Sequence, residues 1–439
     1  MASYMNILIL NTHNPFRASG VVALDLFNQL GSRGHNVKLL VKPFSADYPE
    51  GIQSLETSFA DWRKTIMMKI EWRLNKFKNL LNYKDKVLWD SDYCFFQLNE
   101  NERYYSTRKI IRAAGKRPDI IIVLYADKFI NARNIYELYE KTNAKIFWLM
   151  YDMAPFTGGC HYAWDCTGYQ NNCGRCPGLY STDPFDATFR NLNYKKKYLS
   201  KVNLHVLAGS EGQLEQAKRS ALFADKPIHK ILIPINETLF KPVAKNELRI
   251  NLGIPIDKKV IFFGAVGLTE RRKGMPYLIE SLQILDKILQ FNKPELKNKI
   301  LLLVAGEAFD EISTSLPFEF QYLGFLKNNE ELASAYQASD IFLCPSIEDS
   351  GPMMINQSIM CGVPVVSFAI GVSLDLVITG ETGYRAKLRD SNDMAEGIFN
   401  LLGLADDDYL RISENCRNMA MKLYSPEVRI MALEKLMNN

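Results

Sequence analysis

CPSIEDSGPMMINQSIMCGVPVVSFAIG, residues Cys344–Gly371, is the stretch that decides the fold. An apolar strand pattern ends at Pro345, and two acidic residues, Glu348 and Asp349, follow it. A helical pattern begins after Gly351, and a second apolar strand pattern closes the stretch. Continuous apolar strands joined through a helix are typical of parallel strands with a crossover connection. The stretch therefore predicts part of a parallel α/β sheet.

The same alternation continues on both sides of this stretch. Runs typical of buried strands lie at 6–11, 37–41, 119–124, 145–150, 202–208, 231–235, 260–263, 300–304, 320–323, 341–343 and 363–367. Helical spacing is found at 20–30, 130–139, 275–289, 329–337, 353–360, 392–402 and 426–437. Two such sets predict an α/β protein with two doubly wound, Rossmann-like domains. We place them at 1–240 and 241–439, and we expect the last helix, 426–437, to pack back on the first domain.

Composition narrows the class of protein. The 439 residues are 47% hydrophobic and 23% charged, which is typical of a soluble globular chain. The formal net charge of +4 is too small to indicate a nucleic-acid partner. No apolar run approaches the roughly 20 residues that span a bilayer. Because the N-terminus lacks a basic region and a cleavage site, we expect a cytoplasmic protein without a signal peptide.

Two loops follow strand patterns at positions where parallel sheets bind ligands. The first, Thr12–Val22, contains Gly20, which would let the backbone approach an anionic group; an ordinary connecting loop is the alternative. The second, Phe263–Gly274, carries three adjacent cations, Arg271, Arg272 and Lys273. Cations beside a helix N-terminus suit a diphosphate, although a solvated charge cluster would have the same residues. No GxGxxG motif supports a simple dinucleotide site.

The C-terminal half resembles the donor domain of retaining family 4 glycosyltransferases, which have the GT-B fold. Three motifs carry the resemblance: Cys344–Gly371, the RKG turn and FKP at Phe240–Pro242. In the first half, Asn6–Leu10 matches the opening strand. Tyr151–Tyr162 (YDMAPFTGGCHY) resembles a bacterial subgroup that builds capsular, exopolysaccharide or lipopolysaccharide sugars. The resemblance implies two Rossmann-like domains facing across a cleft, with the acceptor bound by the first and the nucleotide sugar by the second.

The resemblance also assigns roles position by position. Lys273 matches the lysine that neutralises the diphosphate, and Arg272 or Arg271 stands in for its arginine partner. The two glutamates of the family correspond here to Asp349 and Gln357, so one carboxylate is replaced by an amide. Gly20 matches the glycine turn that faces the diphosphate. The predicted donor-binding residues are therefore Gly20, Arg272, Lys273, Glu348 (if the register slips by one), Asp349, Gly351 and Gln357.

This chain departs from the family pattern at the central dipeptide. The family has His-Asp or His-Glu, whereas this chain has Tyr151-Asp152. Tyrosine can donate a hydrogen bond but cannot become a cation near neutral pH. His161 lies nearby in the sequence and either takes the place of the missing histidine or caps the loop. The predicted catalytic residues are Tyr151, Asp152, Lys273 and Asp349.

A cysteine cluster follows the dipeptide, in the loop 152–187. Cys160, Cys166, Cys173 and Cys176 place four thiols within 17 residues. Four soft ligands at short spacing predict a structural zinc ion, which would hold a long loop together. An iron–sulfur cluster, free thiols and disulfides are the alternatives. We expect no metal or other cofactor to take part in catalysis, because the family needs no divalent cation.

Two further segments carry charge. The segment Trp62–Lys86 has eight basic and two acidic residues beside an apolar stripe. It is either a helix packed on the sheet or a peripheral contact with the inner face of the cytoplasmic membrane. Asp90-Ser91-Asp92 has the DxD pattern of metal-dependent transferases, but its context does not support a metal site.

Together these features predict a retaining glycosyltransferase of bacterial surface polysaccharide synthesis. The donor would be a UDP- or GDP-linked sugar, and the acceptor a glycan or a polyprenyl-linked sugar. A nucleotide-sugar 2-epimerase is one alternative. A degenerate GT-B protein that binds nucleotide sugar or a partner without transfer is the other, and Tyr151 and Gln357 are the evidence for it.

Overall fold

The computed structural model describes residues 4–16, 20–44, 47–55, 89–95 and 98–439. The chain divides into two compact units. The first comprises Met1–Ala208, Gln216–His229 and Glu434–Asn439, and the second comprises Gly209–Glu215 and Lys230–Leu433. The basic segment Trp62–Lys86 lies outside the described residues, so its predicted membrane contact stays a prediction.

The first unit is built on a seven-stranded sheet. Its strands are β1 (Asn6–Asn11), β2 (Asn36–Val41), β3 (Ile52–Ser54), β4 (Ile120–Val123), β5 (Lys145–Met150), β6 (Leu204–Ala208) and β7 (Ile228–Lys230). They lie in the order β3-β2-β1-β4-β5-β6-β7, and the pairs from β3 to β6 are parallel. All four residues of β4 are buried, as expected for a parallel strand covered on both faces.

Helices connect these strands, and polar side chains fix where they begin. The helices are α1 (Val21–Ser32), α2 (Thr107–Ala114), α3 (Ala132–Thr142), α4 (Ala187–Leu199) and α5 (Glu211–Arg219), of which α5 belongs to this unit only from Gln216 onward. Asn131 and Asn134 form a capping box at α3, and Asp186 caps α4 by accepting two backbone N–H groups. The start of α4 also sets the end of the cysteine-rich loop.

One predicted strand is wrong. The sequence pattern predicts a strand at 231–235, whereas the structure places β7 at Ile228–Lys230 and leaves 231–236 without regular structure. Pro234 has no N–H group to donate to a strand ladder, and it restricts the backbone of Ile233. Ile231, Leu232 and Ile235 are nevertheless buried, which is why the pattern resembles a strand.

The second unit is built on a six-stranded parallel sheet. Its strands are β8 (Lys259–Gly267), β9 (Ile300–Glu307), β10 (Glu319–Tyr322), β11 (Ile341–Cys344), β12 (Val365–Phe368) and β13 (Gly383–Ala386), in the order β10-β9-β8-β11-β12-β13. Its helices are α6 (Lys245–Asn251), α7 (Met275–Asn292), α8 (Pro294–Lys297), α9 (Asp310–Ser313), α10 (Asn329–Gln337), α11 (Met353–Met360), α12 (Ser373–Leu376), α13 (Ser391–Leu402), α14 (Asp406–Tyr424) and α15 (Pro426–Asn438).

A buried ionic network ties β8 to β11. Asp340 accepts the backbone N–H of Val260 at 2.7 Å and contacts Lys245 at 2.9 Å and Arg249 at 2.8 Å. Burial raises the pKa of Asp340, but the two cations outweigh it and hold the pKa below its usual value. Arg249 also donates to two backbone carbonyl oxygens. The network fixes the two strands whose carboxyl ends carry the predicted donor site.

The predicted fold class is confirmed: both units are α/β structures with parallel, Rossmann-like sheets. Among the described residues, no helix has both the length and the apolar character to cross a membrane.

Candidate active site

The basic turn that follows β8 is held against the end of β11. Arg271–Lys273 form a single 3₁₀ turn, and Gly274 follows it with a φ of 69°. A Cβ atom on Gly274 would lie 1.9 Å from the carbonyl oxygen of Pro345, so only glycine fits there. Ile347 donates its backbone N–H to the carbonyl oxygen of Arg272 at 2.9 Å. These contacts fix the position of the cations at the edge of the sheet.

Three of the predicted donor-site residues meet at this edge. Arg272 Nη1 and Lys273 Nζ both contact Asp349 Oδ2, at 3.0 Å and 2.8 Å. Burial raises the pKa of Asp349, but Lys273 and Arg272 outweigh it and hold the pKa below its usual value. Asp349 is therefore ionised near neutral pH. Arg272 Nη2 also contacts Glu270 Oε2 at 2.8 Å. Guanidinium and ammonium groups carry several N–H donors each, which suits a ligand with a diphosphate.

A cavity of about 330 Å³ lies beside this cluster. Its walls come from the ends of β8 and β11, the basic turn and the start of α11, and they include Lys273, Asp349 and Gly351. The volume falls within the range of about 300–1,000 Å³ that is usual for small-molecule sites. Ligands of parallel α/β sheets bind at the carboxyl ends of the strands, and this cavity lies there.

Two other predicted donor residues lie outside the lining of this cavity, within the described part of the chain. Gln357 is buried, and its side-chain oxygen accepts a hydrogen bond from the Tyr336 hydroxyl at 3.3 Å. Glu348 donates its backbone N–H to the carbonyl oxygen of Arg272 at 3.4 Å. Asp349, one residue later, makes the ion pairs. The amide at position 357 thus has a partner in the core of the unit.

The predicted catalytic dipeptide follows β5 in the first unit. Asp152 is mostly buried; it accepts the backbone N–H of Ala154 at 2.8 Å, and its other oxygen lies 2.8 Å from His161 Nδ1. The Tyr151 ring stacks on Tyr125 with the ring centroids 4.8 Å apart. The structure therefore joins the dipeptide to His161, the residue that the sequence left open as a replacement for the missing histidine.

A small cavity of about 60 Å³ lies at this edge of the first sheet. It has room for a few water molecules. Residues that sequence reasoning missed contribute to its wall, among them Glu100, Asp127 and Lys195. Burial raises the pKa of Asp127, and Lys42 and Lys128 oppose the rise. Among the described residues, none forms a hydrogen bond with the buried Oδ1 of Asp127.

Only one of these missed residues had a signal in the sequence. Asp127 comes four residues after β4, so the same rule that selected the other loops could have found it. Lys195 is in α4, where its Nζ donates to the carbonyl oxygens of Ala154 and Thr157. Glu100 and Lys195 are 95 residues apart, and no local pattern connects them.

Gly20 begins α1 with an ordinary φ of −72°. A Cβ atom on Gly20 would lie 1.8 Å from the carbonyl oxygen of Asn14. The loop before α1 therefore needs glycine for its own close packing. Its predicted role toward a diphosphate stays a prediction.

The four cysteines of the loop are close enough to influence each other. Burial, together with the neighbouring Cys166 and Cys176, raises the pKa of Cys173 to about 12. Burial also raises the pKa of Cys160, with contributions from the other three thiols. The Cys166 sulfur accepts the backbone N–H of Gly168 at 3.4 Å. The thiols therefore share one region of the loop.

The side chains as they stand do not form a metal site. Among the described residues, no group of three or more His, Cys, Asp or Glu residues is arranged to hold a metal ion. A thiolate ligand must be deprotonated, and burial favours the protonated form of the Cys160 and Cys173 thiols. Zinc at Cys160, Cys166, Cys173 and Cys176 stays a prediction.

The residues of the DxD pattern form a capped 3₁₀ turn. The Asp90 side chain accepts the backbone N–H of Asp92 at 2.9 Å and caps a short 3₁₀ turn. The backbone N–H of Asp90 bonds to Gly178, and the Trp164 indole bonds to the carbonyl oxygen of Asp92. The turn is thus packed against the cysteine-rich loop.

Comparison with known proteins identifies the second unit. Residues 245–419 match the family model "Glycosyl transferases group 1". The chain is 29% identical over 194 residues to a D-inositol 3-phosphate glycosyltransferase of Corynebacterium urealyticum, which covers 42% of each chain. It is 24% identical over 243 residues to an uncharacterized glycosyltransferase of Methanocaldococcus jannaschii, covering 53% of this chain and 58% of that one. The chain thus spans about half the length of the curated relatives it matches.

Solved structures resemble the chain over nearly its whole length. Sucrose-phosphate synthase from Thermosynechococcus elongatus superposes with a TM-score of 0.64 at 17% identity and covers 98% of both chains. HepE from Anabaena, in complex with UDP and glucose, superposes with a TM-score of 0.61 at 15% identity and covers 99% of this chain and 100% of its own. At such identities the likeness concerns the fold. The two parallel-sheet units have the fold of GT-B glycosyltransferases, and residues 245–419 match the group 1 glycosyl transferases.

Proposed function

We propose that the chain is a retaining glycosyltransferase that uses a nucleotide-diphosphate sugar, linked to uridine or guanosine, as its donor. The observation that carries the proposal is the ion-paired cluster of Arg272, Lys273 and Asp349 beside a cavity of about 330 Å³. This cluster lies within the residues that match the group 1 glycosyltransferase model. The complex of HepE with UDP and glucose supports the same class of donor.

In the proposed reaction, Lys273 and Arg272 neutralise the charge that develops on the leaving diphosphate. Pre-organised cations stabilise such charge without reorganising during the reaction. Asp349 holds both cations in place before the donor binds, and its carboxylate is an acceptor for hydroxyl groups of the donor sugar. The bond between the anomeric carbon and the diphosphate oxygen breaks, and the acceptor oxygen bonds to the same face of the sugar. The acceptor hydroxyl proton leaves with the diphosphate or with solvent.

For the acceptor, we propose a glycan or a lipid-linked sugar of bacterial surface polysaccharide synthesis. The motif Tyr151–Tyr162 supports this role by its resemblance to enzymes of that kind. The curated relatives include an inositol phosphate glycosyltransferase, so a phosphorylated polyol is the natural comparison substrate. A cytoplasmic site with peripheral membrane contact through 62–86 belongs to the same proposal.

One observation favours a second candidate, a protein that binds nucleotide sugar without transferring it. Gln357 occupies the position of a family carboxylate and bonds to Tyr336 in the core. A panel of UDP- and GDP-sugars tested by thermal shift, followed by an assay of donor hydrolysis, separates the two. A ligand at 100 times its dissociation constant adds about 2.7 kcal/mol to the free energy of unfolding. A melting shift with nucleoside diphosphate release supports the transferase, and a shift without release supports the binding protein.

A further inference from the structure

The basic turn contributes residues to two adjoining cavities of the second unit. Arg272 and Lys273 face the proposed donor cavity, where they contact Asp349. Arg271 instead lines a neighbouring cavity of about 540 Å³, on the other side of the turn. Gly274 holds the turn against Pro345, and Met275 lines both cavities.

The floor of this second cavity is apolar. Met275, Ile312 and Ile347 are buried there, with 4–5% of their surfaces exposed. Tyr277 forms a wall, and its ring is held edge-on against Phe368 at 5.9 Å. The volume is within the range of about 300–1,000 Å³ that is usual for small-molecule sites.

Two arginines supply the charge. Arg271 comes from the basic turn and Arg389 from the loop between β13 and α13. None of the residues that line the cavity, all of them in the described part of the chain, is acidic. A guanidinium has five N–H donors, so an arginine that already has one partner keeps donors for a ligand. Two guanidinium groups over an apolar floor match an anion with an apolar body.

The backbone of Arg389 is held in place for such a ligand. Its φ of 63° is in the left-handed region, which is uncommon for arginine. The next residue, Asp390, caps α13 by accepting the backbone N–H of Asp393 at 3.0 Å. Such a conformation persists only where the surrounding structure fixes it, and it occurs often at binding sites.

We propose that this cavity, between Arg271 and Arg389, binds a phosphate monoester that has a hydrocarbon body. One guanidinium group can bind two phosphate oxygens through two parallel hydrogen bonds, which favours a phosphate over a ligand with a single charge. The hydrocarbon part would cover Ile312 and Ile347. The inference goes beyond the proposed function, because Arg271 and Arg389 line this cavity and not the proposed donor cavity. The two tests can therefore fail independently.

Isothermal titration calorimetry on the full chain tests the proposal. The probe is farnesyl phosphate below its micelle concentration, compared with phenyl phosphate, farnesol and inorganic phosphate. We expect saturable one-to-one binding of farnesyl phosphate, weakened about tenfold or more by Arg389→Asn. Asparagine tolerates the left-handed backbone. The matched control is Lys387→Asn, which removes one charge from the same loop outside the cavity. Ile279→Ala should weaken binding severalfold by shortening the apolar wall.

The comparison ligands separate the sources of the phosphate. Binding of farnesyl phosphate alone supports an isoprenoid lipid, and binding of phenyl phosphate as well supports phosphate esters in general. Equal binding of inorganic phosphate or of farnesol would overturn the proposal, because each lacks one half of the required chemistry. Failure of farnesyl phosphate to bind, or equal loss in Arg389→Asn and Lys387→Asn, would overturn it too. UDP binding by each variant shows whether the donor site is intact.

Discussion

Replacing Lys273 by alanine is expected to abolish the proposed transfer while leaving the fold intact. Lys273 Nζ lies 2.8 Å from Asp349 Oδ2, beside the cavity proposed for the diphosphate. Its loss lowers by one the net charge of the cluster that Lys273 forms with Arg272, Asp349 and Glu270. A unit charge at about 4 Å is worth about 4 kcal/mol at an effective dielectric constant of about 20. Loss of one such contact to developing charge usually costs on the order of 10²–10³ in rate.

The same substitution should change stability little. Arg272 keeps its contact with Asp349 at 3.0 Å, so the carboxylate is not left alone. We expect the free energy of unfolding to fall by about 2 kcal/mol or less. The assay measures kcat with the best donor from the thermal-shift panel, and Lys287→Ala, an exposed lysine on α7, is the matched control. If Lys273→Ala keeps more than about a tenth of the wild-type kcat, the placement of the diphosphate is refuted.

Four other predictions follow from the structure and the sequence. Gln357→Glu should keep donor affinity or tighten it, since a carboxylate is a stronger acceptor; a loss beyond about tenfold in calorimetry would show that the amide is required. Asp340→Asn should cost about 3–5 kcal/mol in urea unfolding at pH 7, because Arg249 stays buried without its charge partner. The difference in stability between the two proteins should disappear as the pH falls below the unfolded pKa of 3.8 and through the lowered folded pKa of Asp340, because both side chains are then neutral. Equal stabilities of the two proteins at pH 7 would contradict this prediction. Burial, Lys145 and His229 lower the pKa of His205 to about 4, so stability should fall as the pH drops from 6.5 to 4; His205→Gln should flatten that part of the profile, and an unchanged profile would contradict the assignment. Elemental analysis should find one zinc per chain, and Cys173→Ser should lower the melting temperature; well under half an equivalent of any transition metal would refute the zinc prediction.

The strands could be predicted because they are buried on both faces. In a chain of this composition, continuous apolar runs such as Ile120–Val123 and Ile341–Cys344 are typical of buried parallel strands. The sequence pattern did not predict α14, because the buried face of this helix is only weakly apolar in sequence. Two of its four buried positions, Cys416 and Ala420, carry small side chains, and acidic and basic residues surround them. The apolar stripe is regular in the structure but weak in the sequence.

The donor cluster could be predicted because each of its members follows a strand. Asp349 lies 77 residues after Arg272 and 76 after Lys273 in the sequence. The carboxyl ends of β8 and β11 nevertheless bring the three residues together. The position of Gln357 could not be predicted in the same way, since its partner Tyr336 comes from a different helix. The contact between Asp152 and His161 depends on a loop without regular structure, so the sequence left it open.

The central claim is that the chain transfers a sugar from a nucleotide diphosphate with retention of configuration. Proton NMR of the full chain with the UDP- or GDP-sugar that binds best tests it most directly, because the first sugar released to water or to an acceptor shows its anomeric configuration. The claim predicts release of the nucleoside diphosphate and a product that first appears with the anomeric configuration of the donor. Inverted product, or a donor that binds but stays intact over many hours, would contradict it.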